Sequence, residues 1–378
     1  MNPSQQSQLA EQFIKNTVKV KKDENVWIEY WGLEAKKLAD ACAEKVKEAG
    51  GIPFLDDQSA ATIDQIKLLS EEEINALGKE KLARMETMKC CVRIKDIAEQ
   101  EKISLSAEKR ALYQKALEAM TQWRINNTRW LVVVAPTKEF AADCGMSFPA
   151  FERFYRDVCL ADYHAMTEAV KPLQKMMTEG KTVRIYSPAQ ETDLTFSIEG
   201  IPALPCTGQW NIPDGECYTA PVKNSINGTI KFGPSSYQGE RFAFIKLTLK
   251  DGHIEKAEAE HPGRTTKLNE ILDIDPGARY AGEFSINFNP FIKDPTGCIH
   301  FDEKIDGGIH MAWGRCYKTA SNGNQSANHW DMVHIQRSDY GGGELSIDDR
   351  LIRKDGLFVI PELMQLNPDN LKAVSKLN

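Results

Sequence analysis

Hydrophobic and polar positions follow one rule in the first half of this chain and another in the second. In the first third, short apolar runs rich in β-formers alternate with stretches of helical period. "NVWIEY" (25–30) reads as a buried strand, "LEAKKLADACAEKVKEAGG" (33–51) repeats its apolar residues at helical spacing and stops on glycine, and "IPFLDD" (52–57) reads as a second strand. The order continues through a helix in "SEEEINALGKEKLARMETM", a strand in "CCVRIKD", a charged helix over 106–122 and a strand in "RWLVVVAP". Strands that alternate with helices predict a mainly parallel α/β sheet. Helical segments then run from about Phe148 to Glu179.

After "EGKTVRIYSP" the texture changes to short strands broken by Gly, Pro and Asn, with Asn227-Gly228 in "NSINGTIKFG" reading as a hairpin turn. The expected organisation is α/β: an N-terminal α/β domain with a mainly parallel sheet over 1–180, and a C-terminal β-rich α+β domain over 181–378 that carries the chemistry. The closing "LNPDNLKAVSKLN" reads as a terminal helix or tail.

Composition narrows the partners. A chain of 378 residues that is 42% hydrophobic can bury a sizeable core and is long enough for two domains. A net charge of -7 and a pI near 5.7 supply no phosphate-neutralising surface, so neither nucleic acid nor an anionic membrane is an expected partner. The polar start "MNPSQQSQLAEQ" lacks the features of a signal peptide, and "WLVVVAP" is too short to span a bilayer, which makes a cytoplasmic location the expectation. Nine cysteines without C-x-x-C spacing read as reduced, packed thiols. Neither G-x-G-x-x-G nor a P-loop is present, so the α/β part reads as scaffold or substrate wall.

The candidate chemistry lies in the second half, where six of the seven histidines fall after residue 250. In "SANHWD" (326–331), His329 and Asp331 are two positions apart, and on a strand they share a face. His310 in "GGIHMAWG" faces away from Ile309 and Met311. In "AGEFSINFN", Phe284, Ile286 and Phe288 alternate with Glu283, Ser285, Asn287 and Asn289, which predicts a polar face lining a wet cleft. Glu216 follows a Pro-Asp-Gly turn in "NIPDGECYTAP", where backbone geometry fixes a side chain firmly. Each of these, taken alone, is more simply a surface acid or a hydrogen-bonded histidine. Together they supply the oxygen and nitrogen ligands suited to Zn²⁺, Co²⁺ or Mn²⁺, and five are more than one catalytic zinc uses. His334, at an odd offset from His329, reads as structural, and His253, His261 and His300 match no motif.

The segments "NIPDGECYTAPVKNSINGTIKF", "GARYAGEFSINFNP", "FDEKIDGGIHMAWG" and "NHWD", in that order, resemble the aminopeptidase T, aminopeptidase S and PepS family of dinuclear metallopeptidases. The resemblance spans nearly the whole chain and is tightest over about 208–356. It implies a two-domain metallo-aminopeptidase and a homodimer. It also implies two divalent ions held by Glu216, Glu283, His310, His329 and Asp331, with Tyr317 in "GRCYKT" as the catalytic tyrosine. The substrate it implies is a peptide or an amino-acid amide, cleaved at its free N-terminus. The rival readings are a ring-cleaving dioxygenase of the dihydroxypyridine type, for which His310, His329 and Asp331 alone would form a mononuclear iron site, and a catalytically inactive peptide-binding relative.

Overall fold

The four apolar runs of the first third do pair in parallel. The structure, a computed structural model, describes residues 1–237 and 239–375. Strands β1 (Asn25–Tyr30), β2 (Ile52–Asp57), β3 (Cys90–Lys95) and β4 (Arg129–Val134) form one sheet in the order β2-β1-β3-β4. The helix Gly32–Glu48 buries Ala35, Leu38, Ala39, Cys42, Ala43 and Val46, a stripe at the 3.6-residue period. Ser70 and Glu73 close a capping box at the start of the helix Glu71–Glu86.

The single charged helix expected over 106–122 is instead two, Ala107–Ala116 and Glu118–Asn127. The break falls where the Ala116 carbonyl comes so close to Gly78 that a Cβ there would lie 2.3 Å from its oxygen. The interruption thus coincides with a contact between helices, which no local pattern announces.

The chain forms two compact units, Met1–Leu160 with Gly208–Ile212, and Ala161–Thr207 with Pro213–Asn378. The change of texture near residue 180 therefore falls inside the second unit. The helices Tyr163–Ala169 and Lys171–Glu179 both lie against the turn Pro361–Leu366, and the first also meets the helix Pro368–Ser375. Helical period is the same whichever core a helix joins, so the sequence could not assign them. The last residues of the tail, beyond 375, lie outside the described residues.

In the second unit the strands, in chain order, are β5 (Thr182–Ser187), β6 (Thr192–Ser197), β7 (Leu204–Cys206), β8 (Glu216–Thr219) and β9 (Asn227–Phe232). There follow β10 (Ser235–Tyr237), β11 (Glu240–Phe242), β12 (Ile245–Lys250), β13 (His253–Ala259) and β14 (Ala281–Asn287). The last are β15 (Gly308–Gly314), β16 (His329–Ile335), β17 (Glu344–Ile347), β18 (Arg350–Lys354) and β19 (Leu357–Phe358). Thirteen of them build an eight-stranded sheet in the order β13-β12-β9-β6-β5-β17-β18-β19 and a five-stranded sheet in the order β16-β15-β14-β8-β7, and β10 and β11 pair with each other as a separate ribbon. Apolar faces of the two sheets meet, Phe196 against Phe284 with ring centroids 4.9 Å apart and Phe232 against Trp313 at 6.4 Å.

Asn227-Gly228 is not a turn. Both residues open β9, where Gly228 pairs with Leu194 and Leu249 on either side. Its φ is +120°, and a Cβ would stand 2.1 Å from the Asp193 carbonyl oxygen. Glycine is needed there because a neighbouring strand passes close by, and that is a tertiary demand.

Candidate metal centre

Antiparallel register gathers the site. Asn287 on β14 pairs with Glu216 on β8, and Ser285 pairs with both Tyr218 on β8 and His310 on β15. Glu283 pairs with Ala312, which in turn pairs with Asp331 on β16, while Gly314 pairs with His329. Directly paired residues share a face, and so do residues two apart on one strand. The register therefore places Glu216, Glu283, His310, His329 and Asp331 on one face of the five-stranded sheet. The β15 positions opposite Asp331 and His329 are Ala312 and Gly314, whose small size leaves room above the sheet.

The side chains converge as the register requires. Glu283 Oε1 lies 3.5 Å from His310 Nε2, and Glu283 Oε2 lies 3.3 Å from His329 Nε2. Asp331 Oδ1 is 3.5 Å from His329 Nε2 and 3.9 Å from His310 Nε2. One ligand atom each from Glu283, His310 and Asp331 falls within a 4.8 Å span. Glu216 stands on the other side of the His310 ring, with Oε2 3.4 Å from Nδ1.

The second ring nitrogens are tied to backbone carbonyls. His329 Nδ1 is 2.7 Å from the Arg315 oxygen, and His310 Nδ1 is 3.0 Å from the Glu303 oxygen. A carbonyl accepts only, so each Nδ1 carries the proton. Each Nε2 is thereby aimed at the carboxylates, the orientation that metal-ligating histidines have. Imidazole and carboxylate donors so arranged fit a divalent ion of the zinc, cobalt or manganese type.

The same crowding shifts the titrations. Burial alone would raise the Glu283 carboxyl, but hydrogen bonds to His310 and His329 outweigh it and hold its pKa low. Asp331 is likewise desolvated, yet the charge of His329 keeps it well below the usual carboxylate range. For His310, desolvation is outweighed by Glu216 and Glu283, which push its pKa up to about 9. Glu216 goes the other way, raised by burial.

Tyr317 reaches the same place through a turn. β15 ends at Gly314, whose φ is +110° and whose Cβ, if present, would lie 2.4 Å from the Asn328 oxygen. Beyond that bend the Tyr317 ring packs 4.9 Å from His329 and 5.7 Å from Tyr218, with 48% of the residue exposed. Desolvation around the hydroxyl, and then the charges of Glu283 and Asp331, raise its pKa, so it stays a proton donor at neutral pH.

His334 points the opposite way, to the Lys231 carbonyl at 2.8 Å and Ser187 Oγ at 3.0 Å. His253 sits beside Glu255, His261 caps the helix Pro262–Leu272, and His300 lies in the short helix Ile299–Asp302. None of these three joins the cluster. The polar face of β14 is not a wet cleft: Glu283 is 4% exposed, and Ser285, Asn287 and Asn289 are wholly buried. Asn289 Nδ2 donates to the Asp214 carbonyl and Ser285 Oγ to Glu216 Oε2, while Asn287 Oδ1 faces His310 Nδ1 and leaves the buried Asn287 Nδ2 without a partner.

Sequence reasoning missed Lys304. Its ammonium is 2.5 Å from Glu216 Oε1, 3.0 Å from Glu303 Oε1 and 3.6 Å from Asp214 Oδ1, with the side chain 1% exposed. Burial pushes the Glu303 carboxyl up to about 7. The only signal available was a lysine in "FDEKIDGG", in a segment whose charges look like those of any solvated loop. None of the nine cysteines forms a disulfide, and among the described residues no helix is long and apolar enough to cross a membrane.

Comparison with known proteins bears on the family and the fold. The family model described as thermophilic metalloprotease (M29) matches residues 3–358. The chain is 30% identical over 158 residues to aminopeptidase 2 of Geobacillus stearothermophilus, covering 39% of this chain and 37% of that one. It is 28% identical over 153 residues to aminopeptidase T of Thermus aquaticus, covering 37% of this chain and 36% of that one. With aminopeptidase PepS of Streptococcus thermophilus the identity is 23% over 290 residues, 68% of this chain and 69% of that one. The first two alignments thus span little more than a third of those relatives. Wild-type AmpT from Thermus thermophilus shares the fold at a TM-score of 0.72 and 20% identity, over 94% of this chain and 99% of that one. A 2,5-dihydroxypyridine dioxygenase from Pseudomonas putida shares it at 0.64 and 14% identity, over 96% and 99%.

Proposed function

The chain belongs to the thermophilic metalloprotease (M29) family, and from that premise we propose that it is a metal-dependent aminopeptidase hydrolysing the N-terminal peptide or amide bond of its substrate. The observation that carries the reading is the Glu283 carboxylate, which presents one oxygen to His310 and the other to His329. A carboxylate so placed would offer an oxygen beside each imidazole, the mixed oxygen and nitrogen donor set that suits divalent ions. Glu216, Glu283, His310, His329 and Asp331 would hold two divalent ions, zinc, cobalt or manganese. Such a pair supplies Lewis-acid polarisation of the scissile carbonyl and a water of lowered pKa.

The chain's own groups do the rest. The backbone carbonyls of Arg315 and Glu303 fix the two imidazoles in one tautomer. Tyr317, neutral and beside His329, donates a hydrogen bond to the oxygen on which charge develops. No separate serine or cysteine nucleophile is required, and the free α-amine of a peptide or amino-acid amide would set the exopeptidase specificity. The same reading takes the protein to be a cytoplasmic homodimer that binds neither nucleic acid nor membrane. A mass near 42.5 kDa by light scattering at all concentrations would contradict the dimer.

The test joins metal analysis to a pair of substrates. Loaded protein should carry two divalent ions per chain and cleave free dipeptides and amides but not their N-acetylated forms. Equal rates on blocked and free peptides would remove the aminopeptidase reading. One iron and no second ion would turn it toward ring-cleaving dioxygenase chemistry.

A further inference from the structure

Five carboxylates crowd one buried region: Glu283 and Asp331 beside the histidines, and Asp214, Glu216 and Glu303 around Lys304. Buried charge must be matched by charge of opposite sign. The Lys304 ammonium offsets one of the five. With all five ionised and both histidines neutral, the state that bound cations would favour, four negative charges remain, which is the charge of two divalent ions.

Lys304 also fixes which oxygen of Glu216 stays available. Oε1 is taken by the ammonium at 2.5 Å, whereas Oε2 faces Ser285 Oγ at 3.2 Å and the His310 ring. The lysine itself has no freedom to move away. It is 1% exposed, it is bound by three carboxylates, and its own carbonyl accepts from the Asn289 backbone at 3.1 Å. A fixed positive charge in contact with a ligand repels any second cation that the same ligand takes, and strongly so where water is excluded.

We propose that Lys304 is a positioning residue that acts as a built-in counter-ion: it restrains Glu216 to one free oxygen, weakens the hold on the divalent ion nearest Glu216, and limits the centre to two ions. This rests on the metal-dependent reading above, but it concerns affinity and number of ions rather than turnover. A merely structural lysine makes the opposite prediction, because its loss would disorder Glu216 and loosen the ion.

The experiment is manganese binding to purified, chelator-stripped full-length protein, followed by calorimetry and equilibrium dialysis. Lys304→Gln should tighten the more weakly held Mn²⁺ at least tenfold, and Lys304→Arg, which keeps the charge, should stay within about threefold of the wild type. An unchanged or weakened ion in Lys304→Gln overturns the proposal. Should that variant fail to fold, Asp214→Asn reads the same electrostatics in reverse. It removes one carboxylate from around the ammonium and should weaken the same ion about tenfold, and no weakening overturns the proposal. The two-ion reading fails separately, if wild-type protein takes a single Mn²⁺ at saturation. In that case the lysine proposal requires Lys304→Gln to admit a second ion, and a variant that still takes one overturns it as well.

Discussion

Tyr317 stands seven residues beyond His310, a spacing that an unbroken strand would use to put the two on opposite faces. The bend at Gly314 removes that objection and lays the ring against His329. Because the hydroxyl makes no contribution to the cluster of His310, His329, Glu283 and Asp331, Tyr317→Phe should keep the fold and the full metal content. Its kcat on a good substrate should fall by roughly 10²–10³, the usual effect of losing one oxyanion donor. KM should change little, since the bond forms as charge develops. A Phe variant with two ions bound and near-wild-type kcat would reduce Tyr317 to packing. At this scale the sequence was legible wherever function uses residue types in local order. It was silent on Lys304, Glu303 and Asp214, because their meeting with Glu216 depends on chain separated by up to 90 positions.

Strand β16 shows how one element serves two purposes. Its odd positions face the metal centre with His329 and Asp331, while His334 faces the eight-stranded sheet. Burial there pushes the His334 imidazole down to about 4 from an ordinary 6.5. The unfolded chain therefore takes up its proton first, and the stabilisation is fully present above pH 6.5 and lost as pH falls toward 4. The loss amounts to about 3 kcal/mol at most, from about 1.4 kcal/mol per pH unit. His334→Asn should flatten the fall in stability between these pH values, measured by urea unfolding. An equally steep fall in the variant would show that other groups set it. The alternation of β16 was readable from the period of two, and so was that of β14. The break between the helices Ala107–Ala116 and Glu118–Asn127 and the strand role of Asn227-Gly228 were not, and each coincides with a backbone passing close by from elsewhere in the chain.

At the scale of the whole molecule, the five proposed ligands all belong to one compact unit, that of Ala161–Thr207 and Pro213–Asn378. An ion that binds the folded form only stabilises it by about 2.7 kcal/mol at a free concentration a hundred times Kd. Chelation should accordingly lower hydrogen-exchange protection of β14, β15 and β16 by about 100-fold where exchange requires that unit to open. Amides of β1 to β4, in the other unit, should keep their protection. Uniform loss across both sheets, or none in either, would contradict a metal centre confined to the second unit.

By itself the sequence determined the succession of elements, the parallel sheet of the first unit, the strand faces that carry Glu283, His310, His329 and Asp331, and the family, through motifs kept in order. These follow from local rules, since side-chain period, capping and turn chemistry act over a few residues. The tertiary structure alone decided where the units divide, that the polar face of β14 is buried rather than wet, and that Lys304 stands among Glu216, Glu303 and Asp214. Each of those depends on register and on contacts between distant segments, and a period of two or 3.6 residues carries no information about what lies across from it.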